Sequence, residues 1–190
     1  MDLLPVLKPI RWSGIEQGAL AHVWAGTPDD PKVVVAYAYV GENGTVFLPS
    51  EGLGATEQEA AIRDAFNNLE RYESSFELVE ASGGKILVSA GREFAAERAL
   101  CQSHMLRAHS LLDAAEIVVS LARRRTVLAC AYQCPESVKA TMVGLHRESW
   151  ENGGPESDRV LKDLVIMADG RKVRTIPLDA DGQISPTMWN

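Results

Sequence analysis

The sequence predicts an α+β protein whose mainly antiparallel sheet is built from hairpins alternating with helices packed on it, in β-β-α units. Three observations carry that prediction. Runs of β-branched and aromatic residues occur in pairs around short turns rich in Gly, Asn and Asp. Helical stretches with one apolar face lie between the pairs. The first strands of the four hairpins start at Val33, Phe76, Ile117 and Leu164, at spacings of 43, 41 and 47 residues with no repeated motif. Interleaved hairpins cannot make an all-parallel sheet, which leaves an antiparallel one with helices laid on it.

Residues 1–18, with Pro5 and Pro9, read as an irregular lead-in whose Trp12 can dock on the domain. Ala19–Ala25 is a short strand candidate before the turn-rich Gly-Thr-Pro-Asp-Asp-Pro. Lys32–Val40 and Thr45–Leu48 then form a hairpin through Gly41, Glu42, Asn43 and Gly44, because Asn-Gly accepts positive φ. Thr56 and Glu59 have the spacing of a capping box. Ile62, Ala65, Phe66 and Leu69 follow as one apolar helical face, opposite Arg63, Asp64, Asn67 and Glu70.

Phe76–Glu80 and Lys85–Ser89 make the second hairpin around Ser82-Gly83-Gly84. A helix is expected over Glu93–Leu100, then a bend and a second helix over Ser103–Leu112, since the apolar positions do not hold one stripe. Glu116–Leu121 and Thr126–Tyr132 pair through an arginine turn. Pro135 opens a helix that runs to about Trp150, and Gly153-Gly154-Pro155 ends it. Leu164–Ala168 and Lys172–Ile176 close around Asp169-Gly170. The expected organisation is one α+β domain over 19–178, with 179–190 as a tail.

Composition narrows the function. At 46% apolar residues, 190 residues suffice for a real core. The first residues lack the apolar run of a signal peptide, and no segment has the roughly 18 uncharged apolar residues of a membrane span. Three cysteines do not make a disulfide framework, so the expectation is a reduced, cytoplasmic protein. A net charge of −7 argues against general nucleic-acid binding. The charge is uneven: residues 1–91 hold 6 Lys/Arg against 13 Asp/Glu, and residues 92–150 hold 8 against 6.

Gly91–Leu100 (GREFAAERAL), Ile117–Ala131 (IVVSLARRRTVLACA) and Ser157–Val173 (SDRVLKDLVIMADGRKV) resemble the YtpQ-like uncharacterised bacterial family over the C-terminal half. Where that pattern has a Pro-x-Arg-Asp turn, this chain has Ala122-Arg123-Arg124-Arg125. The resemblance implies a bacterial setting and a fold, and no activity or site.

The sequence offers three sets of candidate residues. Arg123, Arg124 and Arg125 on a hairpin tip, with Arg98, could hold a phosphate or carboxylate; the plainer reading is a solvated turn that protects strand edges. Glu93 and Glu97, four apart on a helix, and His104 are the acid/base candidates if the chain is an enzyme. Glu57, Glu59 and Glu70 could present an acidic face to a basic partner. Cys101 with His104 and the Cys130-x-x-x-Cys134 pair read as packing. The catalytic and nucleotide-binding motifs of common families are missing, and no metal or cofactor is implied. The leading expectation is a protein that binds a protein partner, in one form an inhibitory or immunity-type protein. The alternative is a small enzyme or ligand-binding protein acting on an anionic small molecule.

Overall fold

A computed structural model describes residues 1–27, 29–42, 44–90, 93–178 and Trp189. It is an α+β fold of antiparallel sheets with helices packed alongside. Two compact units divide the chain, Met1–Glu73 and Ser74–Asn190, where the sequence reading expects one domain over 19–178. The reason lies in the pairing: the hairpins close two separate sheets that share no strand.

The first unit contains β1 (Asp2–Pro9), β2 (Ala21–Gly26), β3 (Pro31–Gly41), β4 (Gly44–Phe47) and α1 (Ala55–Glu70). β3 is central, with β1 along one side and β2 and β4 end to end along the other, all antiparallel. The expected irregular lead-in is therefore corrected: residues 2–9 are a strand. Pro5 and Pro9 are tolerated because β1 is an edge strand, and both lie where the missing N–H can point away from β3. Leu4, Val6 and Leu7 are fully buried. Trp12 docks as expected, its ring centroid 4.3 Å from that of Phe47, with the Lys8 ammonium near both rings.

The cap of α1 lies two residues before the predicted Thr56. Gly54 is the N-cap, and its N–H donates to the Glu57 carboxylate at 2.8 Å. The extended backbone at Gly54 lets the helix begin at Ala55, so Thr56 lies inside the first turn. Ala65 and Leu69 are buried as the periodicity requires, and Phe66 meets the ring of Tyr37 edge-on. Asn68 Nδ2 donates to Leu3 O at 3.0 Å, tying the last turn of α1 to β1.

The second unit holds β5 (Glu77–Ala81), β6 (Gly84–Ala90), α2 (Gln102–Leu112), β7 (Glu116–Arg123), β8 (Thr126–Ala131), α3 (Glu136–Asn152), β9 (Leu164–Ala168) and β10 (Arg171–Ile176). Their order in the sheet is β10-β9-β7-β8-β6-β5, antiparallel throughout. The turns explain two hairpins directly. Ser82 and Gly83 have φ of 54° and 80°, and Asp169 and Gly170 have 53° and 68°, the doubly left-handed geometry that matches strand twist.

Alternate residues of this sheet face opposite layers. Val118, Leu128, Cys130, Leu164 and Ile166 cluster with Val138 and Met142 of α3. Their neighbours Ile117, Val119, Val127, Ala129, Val165 and Met167 are equally buried, on the face where α2 packs against β6, β7 and β8. Burying both faces is the main source of stability, at roughly 1.5–3 kcal/mol for each large apolar side chain.

The helix expected from Glu93 is a series of turns ending in a 3-10 turn at Glu97–Leu100. Phe94 takes φ 61° and Cys101 is extended, so no helix can run through either. In the expected tail Trp189 is buried, and its Nε1 donates to Tyr132 O at 3.1 Å; 179–188 and Asn190 lie outside the described residues. No described helix is long and apolar enough to cross a membrane.

Candidate functional site

The arginines of the β7–β8 turn do not converge on a ligand position. Arg123 is 3% exposed, and its guanidinium points inward to the end of α3. Nε donates to Ser149 O, Nη2 to Trp150 O at 2.7 Å, and Nη1 to Pro155 O. Trp150 O is a helix-end carbonyl with no backbone donor among the described residues, whereas Ser149 O also accepts from Gly153 N–H and Pro155 O from Asp158 N–H; a cation at that terminus also opposes the negative end of the helix dipole. Gly153 makes the approach possible: a Cβ there would lie 3.0 Å from Arg123 Cδ and Nε. Arg124 Nε donates to Glu97 Oε1 at 3.2 Å, and its guanidinium lies over the Phe94 ring. Arg125 reaches Glu93 at 3.7 Å across solvent. Arg98 is buried and donates to Cys101 Sγ at 3.5 Å.

The proposed carboxylate pair is separated in the same way. Glu93 is 71% exposed and Glu97 is sealed at 0%, each with its own arginine. The left-handed Phe94 between them removes the i, i+4 relation of a continuous helix. His104 is 5% exposed, stacked on Phe76 with centroids 4.4 Å apart. Burial, helped by the nearby Arg98 and Arg107 charges, pushes its pKa down to about 4. At neutral pH it is an uncharged ring, and its Nε2 has no hydrogen-bond partner among the described residues.

His146 forms a tighter arrangement, at a residue that is not among the sequence candidates. Nε2 lies 2.7 Å from Lys162 O and must donate, so Nδ1 accepts from Ser120 Oγ at 2.7 Å. A serine donating to a neutral histidine is the geometry of a general-base pair. Ser120 is 2% exposed and His146 0%, however, and burial holds the histidine pKa at about 4. The pair ties β7, α3 and the segment before β9 together. Beside it, Arg147, Trp150, Glu151, Arg159 and Lys162 line a cavity of about 140 Å³. Among the described residues no three His, Cys, Asp or Glu side chains converge as metal ligands.

In the first unit the three candidate carboxylates do not share a face. At about 100° per residue, Glu59 and Glu70 lie about 20° apart around α1, with Glu57 about 160° from Glu59. Arg63, one turn after Glu59, interrupts even the shared stripe. Glu57 is also occupied by the Gly54 N–H. Glu70 is placed differently. It ends the helix turn that Asn68 anchors to Leu3, and Leu3 pairs with Tyr39.

That end of the sheet carries an exposed apolar group which sequence reasoning missed. Tyr39 is 42% exposed and directly opposite Val46, which is 60% exposed. Met1, 70% exposed, lies against Gly41 on the same side. Asp2 and Glu42, which follow Met1 and Gly41 in sequence, are also exposed, although Asp2, paired with Val40, alternates onto the opposite face from Tyr39. Alternation alone places Tyr39 with buried Tyr37, under α1. The missing signal is which residues α1 covers: Phe66 meets the ring of Tyr37, whereas Tyr39 stays 42% exposed.

The fold and these sites define an α+β protein of antiparallel hairpin sheets, with an exposed apolar group at one end of the sheet in its first unit and a small basic cavity in its second. No family model, curated protein or solved structure matches the chain.

Proposed function

We propose that the chain is a protein-binding module whose first unit presents an apolar centre within an acidic surface to a basic protein partner. The observation that carries this reading is the exposed group Met1, Tyr39 and Val46, at the end of the sheet where exposed Asp2 and Glu42 lie next to it in sequence and Glu70 closes α1. Charge supports it. Residues 1–73 hold 5 Lys/Arg against 11 Asp/Glu, and residues 74–190 hold 14 against 15, so the first unit carries −6 of the net −7. Apolar centres with charged rims are the anatomy of specific interfaces, and the rim speeds association with a complementary partner. An inhibitory or immunity-type protein covering a basic active site is the particular form that fits. The YtpQ-like resemblance of the C-terminal half brings no chemistry that competes with it.

The test is capture from host lysate at low salt, comparing wild type with variants. Tyr39→Ser with Val46→Ser should abolish retention of a stoichiometric partner. Glu42→Gln with Glu70→Gln should weaken it and flatten its salt dependence. Glu57→Gln should leave it unchanged, because that carboxylate caps its own helix. Equal capture by the Tyr39/Val46 variant and wild type would refute the reading.

A second reading, binding of an anionic small molecule, is favoured by the cavity beside His146. Three cations, Arg147, Arg159 and Lys162, face one carboxylate, Glu151, around about 140 Å³. Arg159 is held in place by Trp150 O and Glu156, with its guanidinium 5.0 Å from the Trp150 ring centroid. Thermal shifts with inorganic phosphate and small dicarboxylates that vanish in Lys162→Ser would support it; shifts that persist in that variant would remove the cavity from consideration.

A further inference from the structure

Cys130 and Cys134 lie in the second unit, and neither enters the binding readings above. Cys130 is the fifth residue of β8, fully buried on the face that α3 covers. Cys134 follows a short turn, is half-buried, and immediately precedes Pro135, the N-cap of α3. The two thiols are hydrogen-bonded to each other, and Cys134 packs against the cluster to which Cys130 belongs. Both are free.

The two sulfurs differ in character. The hydrogen bond to Cys134, together with burial, pushes the Cys130 thiol up and keeps it protonated. The same bond, received by Cys134, holds that thiol below its ordinary value, and Lys139 reinforces this while burial and Glu136 oppose it. Lys139 is fixed nearby, its Nζ 2.8 Å from Glu136 and 3.3 Å from Trp189 O. The N-terminus of the 17-residue α3 adds its own stabilisation of a thiolate. The half-buried sulfur is thus the nucleophilic one, and the buried sulfur belongs to the cluster against which it packs.

We propose that Cys130 and Cys134 are a reactive dithiol that small-molecule disulfides oxidise to an intramolecular disulfide, with Cys134 attacking and Cys130 resolving. The Cys134 thiolate attacks one sulfur of the disulfide RSSR; an S–S bond forms to Cys134 and RS⁻ leaves. As the Cys130 sulfur attacks Cys134 and expels the second RS⁻, its proton passes to water, and both RS⁻ are protonated by water. The two cysteines lose two electrons, RSSR gains them, and two RSH are released. Cys130 never has to meet the oxidant, so its burial is no obstacle.

The full chain is equilibrated in glutathione buffers of stepped oxidised-to-reduced ratio, alkylated, weighed and mapped by peptide. The wild type should become lighter by two hydrogens, with Cys130 linked to Cys134 and Cys101 still alkylated after denaturation. Cys130→Ala should instead accumulate a glutathione adduct on Cys134. Cys134→Ser should do neither. A wild-type chain that keeps both thiols in fully oxidised buffer, or carries a lasting adduct without closing, overturns the proposal. Should Cys130→Ala fail to fold, the pH dependence of Cys134 alkylation in the wild type decides: a midpoint below the free-cysteine value of about 8.5 supports it, and one at or above that value refutes it.

Discussion

Replacing Arg123 by methionine tests whether the turn is structural. The substitution keeps the length of the stem and removes a guanidinium that donates to Ser149 O, Trp150 O and Pro155 O. Hydrogen bonds from a charged donor contribute about 1.5–3 kcal/mol each, but carbonyls at a helix end recover part of that from water. About 3–4 kcal/mol is therefore expected for the three together. For a unit of this size, about 4 °C of Tm per kcal/mol gives a fall of about 12–16 °C. Urea unfolding followed by circular dichroism measures the loss, and hydrogen exchange should place the new opening in the last turn of α3. Arg123→Lys keeps the charge without the planar fork and should recover about half. Arg125→Met removes only an exposed pair and should change stability by under about 0.5 kcal/mol. A Tm for Arg123→Met within about 3 °C of wild type would refute the reasoning and return this guanidinium to a ligand role.

The buried histidines should set the acid limb of the second unit's stability. Both His104 and His146 have folded pKa values of about 4 against 6.5 for the free group, so the unfolded chain binds more protons between those values and stability falls as pH drops from about 6.5 to about 4. His104→Leu should flatten that limb in a Tm series against pH; an unchanged slope would contradict the assignment. Asp113, the left-handed C-cap of α2 at φ 51°, should gain up to about 1 kcal/mol on substitution by Gly, read as a higher urea midpoint. Trp189→Ala, which empties a place in the α3-side core, should cost about 2–4 kcal/mol, and a neutral result would mean that this ring does not support the core.

The hairpins were legible because their turns have local chemistry. Asp169-Gly170 and Ser82-Gly83 take the left-handed conformations that such residues tolerate, and β-branched runs flank them. β1 was not, because prolines argue against a strand unless the strand is known to lie at an edge, which is a property of the assembled sheet. The break after Leu100 was visible in the lost apolar stripe, whereas the left-handed Phe94 has no sequence signature. The site residues were less legible still. Arg123, Arg124 and Arg125 are adjacent in sequence, yet one ends a strand and points inward while the next two occupy the turn. Glu59 reads as the capping-box carboxylate and Glu57 as a charge, and only the position of the cap shows that Glu57 is the one occupied. Val46 and Tyr39 are ordinary strand residues until the end of α1 is known.

The order of the six-stranded sheet puts two strands of opposite charge at its borders. β5 displays Glu77 and Glu80, and β10 displays Arg171 and Arg174, all exposed. When two copies meet through like borders, β5 on β5 or β10 on β10, same-sign charges are brought face to face along strands that have no outer strand partner among the described residues. The symmetric contact that would close a pair of molecules by strand addition is therefore opposed at both borders. Sequence positions nearly a hundred residues apart thus guard the same sheet from its own copies, the first by acid and the last by base.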